Sequence, residues 1–352
     1  MDPLRPCTTD FAGLFSEIAE NSLNPHLDGD PLSPAIAVII PAYNSSDTLE
    51  GCLDSIMGQM KSSDELLVVD DGSTDSTASR AVARGATVVS TGGRLGPAAA
   101  RNMGAEAAGS EILLFLDSDV TVPSNLLEEV RAEFEVDSGV EALQTLYTPV
   151  CPADDSVSRY QNLYYHFALR RMDPIDSAVT ATWCTAVRRS VFRELGGFDA
   201  RIPEPTVEDE ELGYAIADRG GRIALRKDLQ VTHLACYSVG DFVRRRLRMA
   251  RAQAKSGWRS VGDRLLKRYM NIRETGTHHS RWVVLSIILT LLAALLLPGA
   301  ILSLILAGPW VPLLAASLGL AAAALLCHLP FFRLAGRLMG LGVLPAFAVL
   351  CL

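Results

Sequence analysis

Two carboxylates directly follow an uncharged apolar stretch near the middle of the chain. The stretch, Ile112–Leu116, predicts a strand buried on both faces, and Asp117 and Asp119 come directly after it. In an open α/β sheet, ligands bind outside the carboxyl ends of the strands, so both acids are expected to face a ligand. Two hard oxygen donors at that position suit Mg²⁺ or Mn²⁺ bound to a substrate phosphate. The alternative is that Asp119 only begins a turn and caps the next helix.

Another pair of acids, Asp70 and Asp71, follows a second predicted strand. Four predicted strands alternate with helical segments, at residues 36–40, 66–69, 86–89 and 111–116. Such alternation with short connections predicts an α/β fold with a doubly wound, mostly parallel sheet flanked by helices. Acids therefore end two of the four strands.

The residues after the first strand argue against one large class of nucleotide-binding enzyme. A Rossmann dehydrogenase places Gly-x-Gly-x-x-Gly there, so that the backbone can approach a pyrophosphate. This chain instead has Pro41-Ala42-Tyr43-Asn44. A diphosphate would therefore be held through a metal ion rather than through a glycine loop and a helix end.

Three motifs, in this order and spacing, resemble those of glycosyltransferase family 2, the inverting sugar transferases of the GT-A fold. They are Pro-Ala-Tyr-Asn after the first strand, Asp-Asp-Gly-Ser-Thr-Asp after the second and Asp-Ser-Asp after the fourth. The resemblance covers about residues 36–258 and implies a nucleotide-sugar donor.

The same resemblance implies roles for single residues. Pro41 and Tyr43 would line the nucleotide pocket, and Asp71 would contact the base or the ribose. Asp119 would bind the metal, and Asp117 would lie close to the ribose or the metal. Arg101 stands where the family often has an Arg-Asn pair near the donor, although a surface helix arginine is an equal alternative.

Four consecutive acids, residues 208–211, open a predicted helix that ends at Gly220. Acids in a first turn suit the positive end of the helix dipole, which is the structural explanation. The functional explanation is that an inverting transfer needs one carboxylate to take the proton of the attacking acceptor hydroxyl. In the family the aspartate of a Glu-Asp pair has this role, which implies Asp209 as the base, with Glu208 beside it on the acceptor. Related GT-A enzymes use a later histidine as a further metal ligand, here His233; the alternative is an ordinary strand histidine.

Four aromatic residues lie on a helix predicted over residues 160–172: Tyr160, Tyr164, Tyr165 and Phe167. A row of aromatic side chains is more often packing than a sugar platform, so packing is the prediction. The later segment that contains Trp183 matches the acceptor-side part of the family.

The charge reverses between residues 241 and 281, where twelve Lys or Arg face three acids. Arg244 and Arg248 begin one helical stripe, and Val243 and Leu247 begin an apolar stripe beside it. We interpret this segment as a basic amphipathic helix on an anionic membrane surface or beside a phosphorylated lipid acceptor, because it directly precedes an apolar tail. Processive synthases of the family carry Gln-x-x-Arg-Trp in this region; the sequence lacks that motif, so non-processive transfer is expected.

The tail has no Asp, Glu, Lys or Arg from residue 282 to residue 332, which is about enough for two membrane spans. The expected spans cover about residues 282–305 and 311–332, while residues 338–352 are short for a third. Basic residues precede the first span and follow the second, so the positive-inside rule places both ends in the cytoplasm. The expected location is the cell inner membrane, multi-pass, with a cytoplasmic catalytic domain.

Bulk composition argues against other partners. The net charge of −8 argues against nucleic acid. Seven cysteines are scattered singly without a Cys-x-x-Cys pair, which indicates neither a zinc site nor a disulfide framework and fits a reducing compartment. The first 34 residues lack the apolar core of a secretory signal.

We therefore expect four parts: residues 1–34, a leader; 35–240, a GT-A catalytic domain; 241–281, basic interfacial helices; and 282–352, transmembrane helices. The expected function is metal-assisted, inverting transfer of a sugar from a nucleotide-sugar donor to a hydroxyl of a lipid-linked or membrane-proximal acceptor. One alternative is a nucleotidyltransferase. Such an enzyme would require a Gly-rich loop with Lys or Arg after the first strand, and that loop is absent from this sequence. The other is a catalytically inactive membrane scaffold of the same fold.

Overall fold

An eight-stranded sheet forms the centre of the computed structural model, with the strand order β3-β2-β1-β4-β7-β6-β8-β5. The structure describes residues 34–135, 139–172, 180–201, 208–259, 281–306 and 308–351. Almost all of the expected leader and residues 260–280 of the expected basic segment lie outside these ranges. The strands are β1 (Ile36–Ala42), β2 (Glu65–Asp70), β3 (Thr87–Ser90), β4 (Ile112–Leu116), β5 (Val120–Thr121), β6 (Val140–Tyr147), β7 (Cys184–Arg188) and β8 (Arg222–His233).

Helices cover both faces of this sheet and continue beyond it. In the first part of the chain they are α1 (Leu49–Met57), α2 (Thr77–Ala83), α3 (Pro97–Ala107), α4 (Leu126–Glu135), α5 (Ser156–Arg170), α6 (Arg189–Glu194) and α7 (Glu208–Asp218). The later helices are α8 (Val239–Arg259), α9 (Arg281–Ile305), α10 (Trp310–Leu326), α11 (Leu329–Met339) and, after a 3₁₀ turn at Leu341–Val343, α12 (Leu344–Cys351).

The predicted parallel half of the sheet is confirmed. β1 pairs in parallel with β2 and β4, and β2 pairs in parallel with β3. Every residue of β4 is buried because helices pack on both faces of the sheet. This explains why its sequence is apolar without alternation.

The other half of the sheet is mixed. β7 runs antiparallel to both β4 and β6, and no strand was predicted over this whole segment. β7 is stabilised by pairing with two strands that are distant in the sequence. A local residue pattern carries no information about such pairing. β8 is one continuous strand of twelve residues, with two register shifts in its parallel pairing with β6.

Helix α3 approaches the sheet closely because Gly104 has no side chain. A Cβ atom at this position would lie 2.5 Å from Cγ2 of Ile39 and 3.0 Å from Cγ2 of Val69. The short helix-to-strand distance brings Arg101, one turn earlier on α3, to the carboxyl edge of the sheet beside Asp117. The glycine therefore helps to position a residue of the candidate site.

The apolar tail forms a helical hairpin of α9 and α10. Among the described residues one helix, Leu285–Ile305, is long and apolar enough to cross a membrane. A second span exists only if α10 and α11 are counted together, and they are bent by 63° at the break between them. The second expected span is therefore not one continuous helix.

The last helices pack back against helix α5, which lies on the sheet. A cluster of buried apolar residues joins α5 and α8 to α11 and α12, and Tyr160 lies at its centre. The ring of Tyr160 contacts Phe331 at a centroid distance of 5.6 Å and Phe347 at 5.4 Å. Helix α5 is thus held between the sheet and the end of the chain.

This contact predicts that Phe331→Ala destabilises the full-length chain in detergent by roughly 3 to 5 kcal/mol, the usual cost of a large buried aromatic. Phe331 is almost fully buried, so its removal leaves a cavity against Tyr160. The matched control is Leu341→Ala, because Leu341 is 75% exposed. Equal melting temperatures of the two variants would show that the C-terminal helices do not support α5.

Candidate functional site

The motif acid after β2 shapes a neighbouring loop. The carboxylate of Asp71 accepts hydrogen bonds from the backbone N–H of Leu95 and of Gly96, both at 2.8 Å. It also accepts one from the hydroxyl of Thr91 at 3.1 Å. Asp71 therefore fixes the loop before α3, at the carboxyl edge where the donor was expected.

The loops after β1, β2 and β3 pack against each other at this edge. A Cβ atom on Gly72, which has φ +78°, would lie 3.0 Å from the carbonyl carbon of Gly93. The guanidinium of Arg94 lies 4.2 Å from the ring centre of Tyr43. Pro41 is the penultimate residue of β1 and pairs with Val69. The sequence did not single out Arg94, since an exposed loop arginine carries no local signal.

Arg101 is buried and joins two acids from distant parts of the chain. Its guanidinium donates to Asp117 Oδ1 at 2.8 Å and to Glu208 Oε1 at 3.1 Å. Only 5% of Arg101 is exposed, which excludes the alternative of a surface arginine. Burial raises the pKa of Asp117, and the charge of Arg101 opposes that rise. Arg101 therefore connects the acid after β4 to the acidic turn of α7.

Asp119 and His233 are brought together by the pairing of β5 with β8. The backbone N–H of Leu234 donates to the Asp119 carbonyl at 2.8 Å, and His233 Nε2 lies 3.4 Å from Asp119 Oδ2. Burial acts to raise the pKa of Asp119, but the nearby His233 and Arg245 lower it overall. The carboxylate is thus kept in its ionised form.

The side chains of Asp119 and His233 fit a metal site whose remaining positions are filled by a bound ligand. Within the described ranges, no group of three His, Cys, Asp or Glu side chains is arranged to hold an ion. Asp119 and His233 are close enough to bind one divalent ion together, with phosphate oxygens and water at the remaining positions. Asp117 lies beside them but is paired with Arg101, so it suits a supporting role better than direct ligation.

The acidic first turn of α7 faces the segment before β7. Asp209 accepts a hydrogen bond from the backbone N–H of Glu210 at 2.9 Å and one from Thr182 at 3.3 Å. Burial, with the negative charges of Glu208 and Glu210, raises the pKa of Asp209 to about 8. Burial and the charges of Glu208 and Glu211 also raise the pKa of Glu210, to about 7. Asp209 is therefore a carboxylate that can accept a proton near neutral pH.

A cavity of about 120 Å³ connects these groups. Asp117, Asp119 and His233 line one part of it, and the acidic turn lines another. Its aromatic wall includes Trp183, which stacks on Tyr147 at 4.4 Å. The predicted acids and the histidine thus meet in one space. Pro41, Tyr43 and Asp71 lie outside its lining.

The aromatic row on α5 divides between two roles. Tyr160 and Phe167 pack towards the C-terminal helices, as predicted. Tyr165 instead lines the cavity, with its ring centre 5.5 Å from that of Trp183. Spacing alone could not separate the two roles, because both faces of α5 are covered by protein.

Two further residues of the cavity were missed in the sequence. The hydroxyl of Tyr237 lies 3.4 Å from His233 Nε2 and accepts a hydrogen bond from Arg245 at 3.0 Å. Arg245 belongs to the basic helix α8, but it faces the cavity rather than either expected stripe. The only local signal for Tyr237 is its position four residues after His233.

The fold and the acids at the carboxyl edge of the sheet together define a class of protein. A doubly wound sheet with an antiparallel extension and acids after β2 and β4 is the architecture of the GT-A fold, and the carboxylate of Asp209 lines the same cavity as the acids after β4. The family model described as glycosyl transferase family 2 matches residues 37–196. Residues 37–196 therefore carry the sequence pattern of this family.

Individual relatives agree with this assignment. The chain is 28% identical over 232 residues to the pre-mycofactocin glycosyltransferase of Mycobacterium tuberculosis, covering 63% of this chain and 47% of that protein. It is 40% identical over 101 residues to the glucosyl-3-phosphoglycerate synthase of the same organism, covering 26% of this chain and 31% of that protein. The chain thus spans at most about half the length of these relatives.

One solved structure is similar over nearly the whole chain. It is a mannosyltransferase from Pyrobaculum calidifontis, with a TM-score of 0.56 and 21% sequence identity, covering 96% of this chain and 93% of that one. At this identity the likeness establishes the shared fold.

Proposed function

We propose that this protein is a membrane-anchored glycosyltransferase that moves a sugar from a nucleotide-sugar donor to an acceptor hydroxyl with inversion and with the help of a divalent metal. The observation that carries the proposal is the single cavity that joins the Asp119 and His233 pair to the carboxylate of Asp209. Such a site holds a leaving diphosphate at one end and a proton acceptor at the other.

The loops after β1, β2 and β3, at the carboxyl edge of the sheet, are suited to hold the nucleotide of the sugar donor. The rings of Pro41 and Tyr43 offer an apolar surface for a base, and the loop held by Asp71 closes beside them. The Pyrobaculum mannosyltransferase is described in complex with GDP-Man and Mn²⁺, which makes nucleotide sugars with Mn²⁺ the first ligands to test.

The chemistry then follows from the residues of the chain. A divalent ion on Asp119 and His233 would offset the charge that develops on the departing nucleoside diphosphate. Asp209 takes the proton of the acceptor hydroxyl as that oxygen attacks the anomeric carbon from the side opposite the diphosphate. Glu208 stays paired with Arg101, which holds the acidic turn next to Asp117. Arg101 is thereby a positioning residue.

Exposed apolar surface supports membrane attachment. Helix α9 exposes a large share of its leucines and isoleucines, including Leu291, Leu295 and Ile301. On α8, Val243 and Leu247 are about half exposed beside basic side chains. In the proposed arrangement α9 enters the bilayer, α8 lies on its anionic cytoplasmic surface, and the cavity faces the cytoplasm, where nucleotide sugars are made.

A donor screen on the detergent-solubilised full-length chain tests this function. UDP-, GDP- and dTDP-sugars are added with Mn²⁺ or with EDTA, and the melting temperature is measured. One donor class should stabilise the protein only with Mn²⁺, by about 2.7 kcal/mol at a ligand concentration one hundred times Kd. The same mixture should slowly release nucleoside diphosphate. If no nucleotide sugar stabilises the chain with Mn²⁺, the proposed function is wrong.

A further inference from the structure

We propose that the cavity beside Asp209 is a subsite for an uncharged, hydroxyl-bearing sugar ring of the acceptor, and that Gln161 and Thr182 are its hydrogen-bonding residues. This inference rests on the proposed function and adds the chemical class of the acceptor. A sugar ring carried on a lipid or on another glycan would satisfy it equally, because only the ring enters the cavity.

The first observation is that both side chains are buried without a partner. Gln161 is 5% exposed, Thr182 is 4% exposed, and both line the cavity. Neither the carboxamide of Gln161 nor the hydroxyl of Thr182 makes a hydrogen bond to any part of the chain that the structure describes.

Their neighbours show that this is unusual within the site. The hydroxyl of Thr180 donates to the Asp209 carbonyl, that of Thr185 donates to Ala181, and the amide of Asn162 donates to Thr148. A buried polar group without a partner costs about 1 to 3 kcal/mol. Two such groups facing one cavity therefore point to a ligand that supplies the missing hydrogen bonds.

Position gives the second part of the argument. The backbone N–H of Thr182 donates to Asp209 Oδ2 at 3.3 Å, so the Thr182 hydroxyl belongs to the residue that already contacts the base. Gln161 lies one helical turn before Tyr165, and both line the cavity from α5. With Trp183 they combine amide, hydroxyl and aromatic surface, which matches the alternating polar and apolar faces of a sugar ring.

Charge gives the third part, because it separates a sugar hydroxyl from a phosphate acceptor. Three acids, Glu208, Asp209 and Glu210, line this part of the cavity. The arginines of the lining already have partners: Arg101 pairs with two carboxylates, and Arg245 donates to the Tyr237 hydroxyl. A phosphate would bury its charge beside cations that are already engaged and, being ionised already, would need no base. A neutral hydroxyl needs the base and brings no charge that must be compensated.

The test uses octyl glycosides of glucose, mannose, galactose and N-acetylglucosamine as neutral acceptors and octyl phosphate as the charged one. The full-length chain in detergent is given Mn²⁺ and the donor found in the screen. We expect transfer to at least one glycoside and none to octyl phosphate. Gln161→Leu and Thr182→Val should each raise KM for that glycoside by about tenfold or more, since each removes a hydrogen bond to the acceptor.

Two measurements separate this role from a structural one. The donor Kd of both variants should stay within about twofold of wild type, and Gln161→Leu should not lower the melting temperature, because it replaces an unpaired buried amide with an apolar group. Thr148→Val and Gln230→Leu are matched controls, because those side chains hydrogen-bond to the carbonyls of Val150 and Lys227 outside the cavity. The controls should leave KM unchanged.

Several results would overturn the inference. They are transfer to octyl phosphate alone, transfer to none of the glycosides by a chain that binds its donor, or an unchanged glycoside KM in both variants. Absence of any metal-dependent donor binding would instead refute the proposed function itself, and this inference would fall with it.

Discussion

Replacing Asp209 by asparagine should lower turnover by roughly 10² to 10⁴ while donor affinity stays near that of wild type. Asparagine keeps the shape of the side chain and an oxygen that can accept from the backbone N–H of Glu210. It cannot take a proton from the acceptor hydroxyl. The loss should therefore appear in kcat, measured with saturating donor and acceptor on the same preparation as donor Kd and melting temperature.

The competing explanation is that Asp209 only complements the dipole of α7. In that case Asp209→Asn would cost about 0.3 to 1 kcal/mol of stability and leave turnover almost unchanged. Glu211→Gln is the matched control, because Glu211 belongs to the same acidic turn but does not line the cavity. A turnover within about threefold of wild type in Asp209→Asn would exclude it as the base and direct attention to Glu208 or Glu210.

The pH dependence should carry the same signature. Because the pKa of Asp209 is raised to about 8, the free protein holds this base mostly protonated below that pH. kcat/KM should therefore rise with pH through an apparent pKa near 8, and Asp209→Asn should lose this limb. The stability of the wild-type fold should change in the opposite direction. As pH rises from the ordinary aspartate pKa towards 8, ionising the buried Asp209 carboxylate lowers the free energy of unfolding of the wild type. Asp209→Asn should therefore gain stability relative to wild type at alkaline pH.

The sequence could predict those parts of the site whose positions depend on neighbouring residues in one segment of the chain. Asp117 and Asp119 were predicted from one buried strand, because a strand determines where the next residues point. The parallel half of the sheet followed in the same way from four apolar segments separated by helices. In each case a short segment carries the signal for its own strand, although the paired strands can be far apart in the sequence, as Ile36 and Ile112 are.

What escaped prediction depends on contacts between distant segments. The burial of Arg101 results from Asp117 and Glu208, which approach it from β4 and α7. Strand β7 is stabilised by partners on both sides, and α11 contacts α5 through aromatic rings more than 160 residues apart in the sequence. Nor does Gln161 carry any local signal, because its role depends on having no partner in a cavity that many separate segments build.

Replacing Asp119 by alanine should abolish metal-dependent donor binding, because Asp119 and His233 are the two side chains best placed to hold the ion. Changes to residues that only orient metal ligands already cost about 10- to 100-fold in metal affinity, so loss of a ligand should cost on the order of 10² or more. The measurement is the donor-induced rise in melting temperature, with Mn²⁺ and with EDTA. Asp47→Ala, an exposed acid in the loop after β1, is the control.

The pair also allows a test that does not depend on how large either single effect is. If Asp119 and His233 hold the same ion, either single alanine variant removes most of the metal-dependent stabilisation, and the double variant loses little more. If His233 only packs against Tyr237, His233→Ala should keep the Mn²⁺ response, and its effect should add independently to that of Asp119→Ala. Undiminished Mn²⁺-dependent stabilisation in Asp119→Ala would place the metal elsewhere, with Asp117 as the remaining carboxylate at the end of β4.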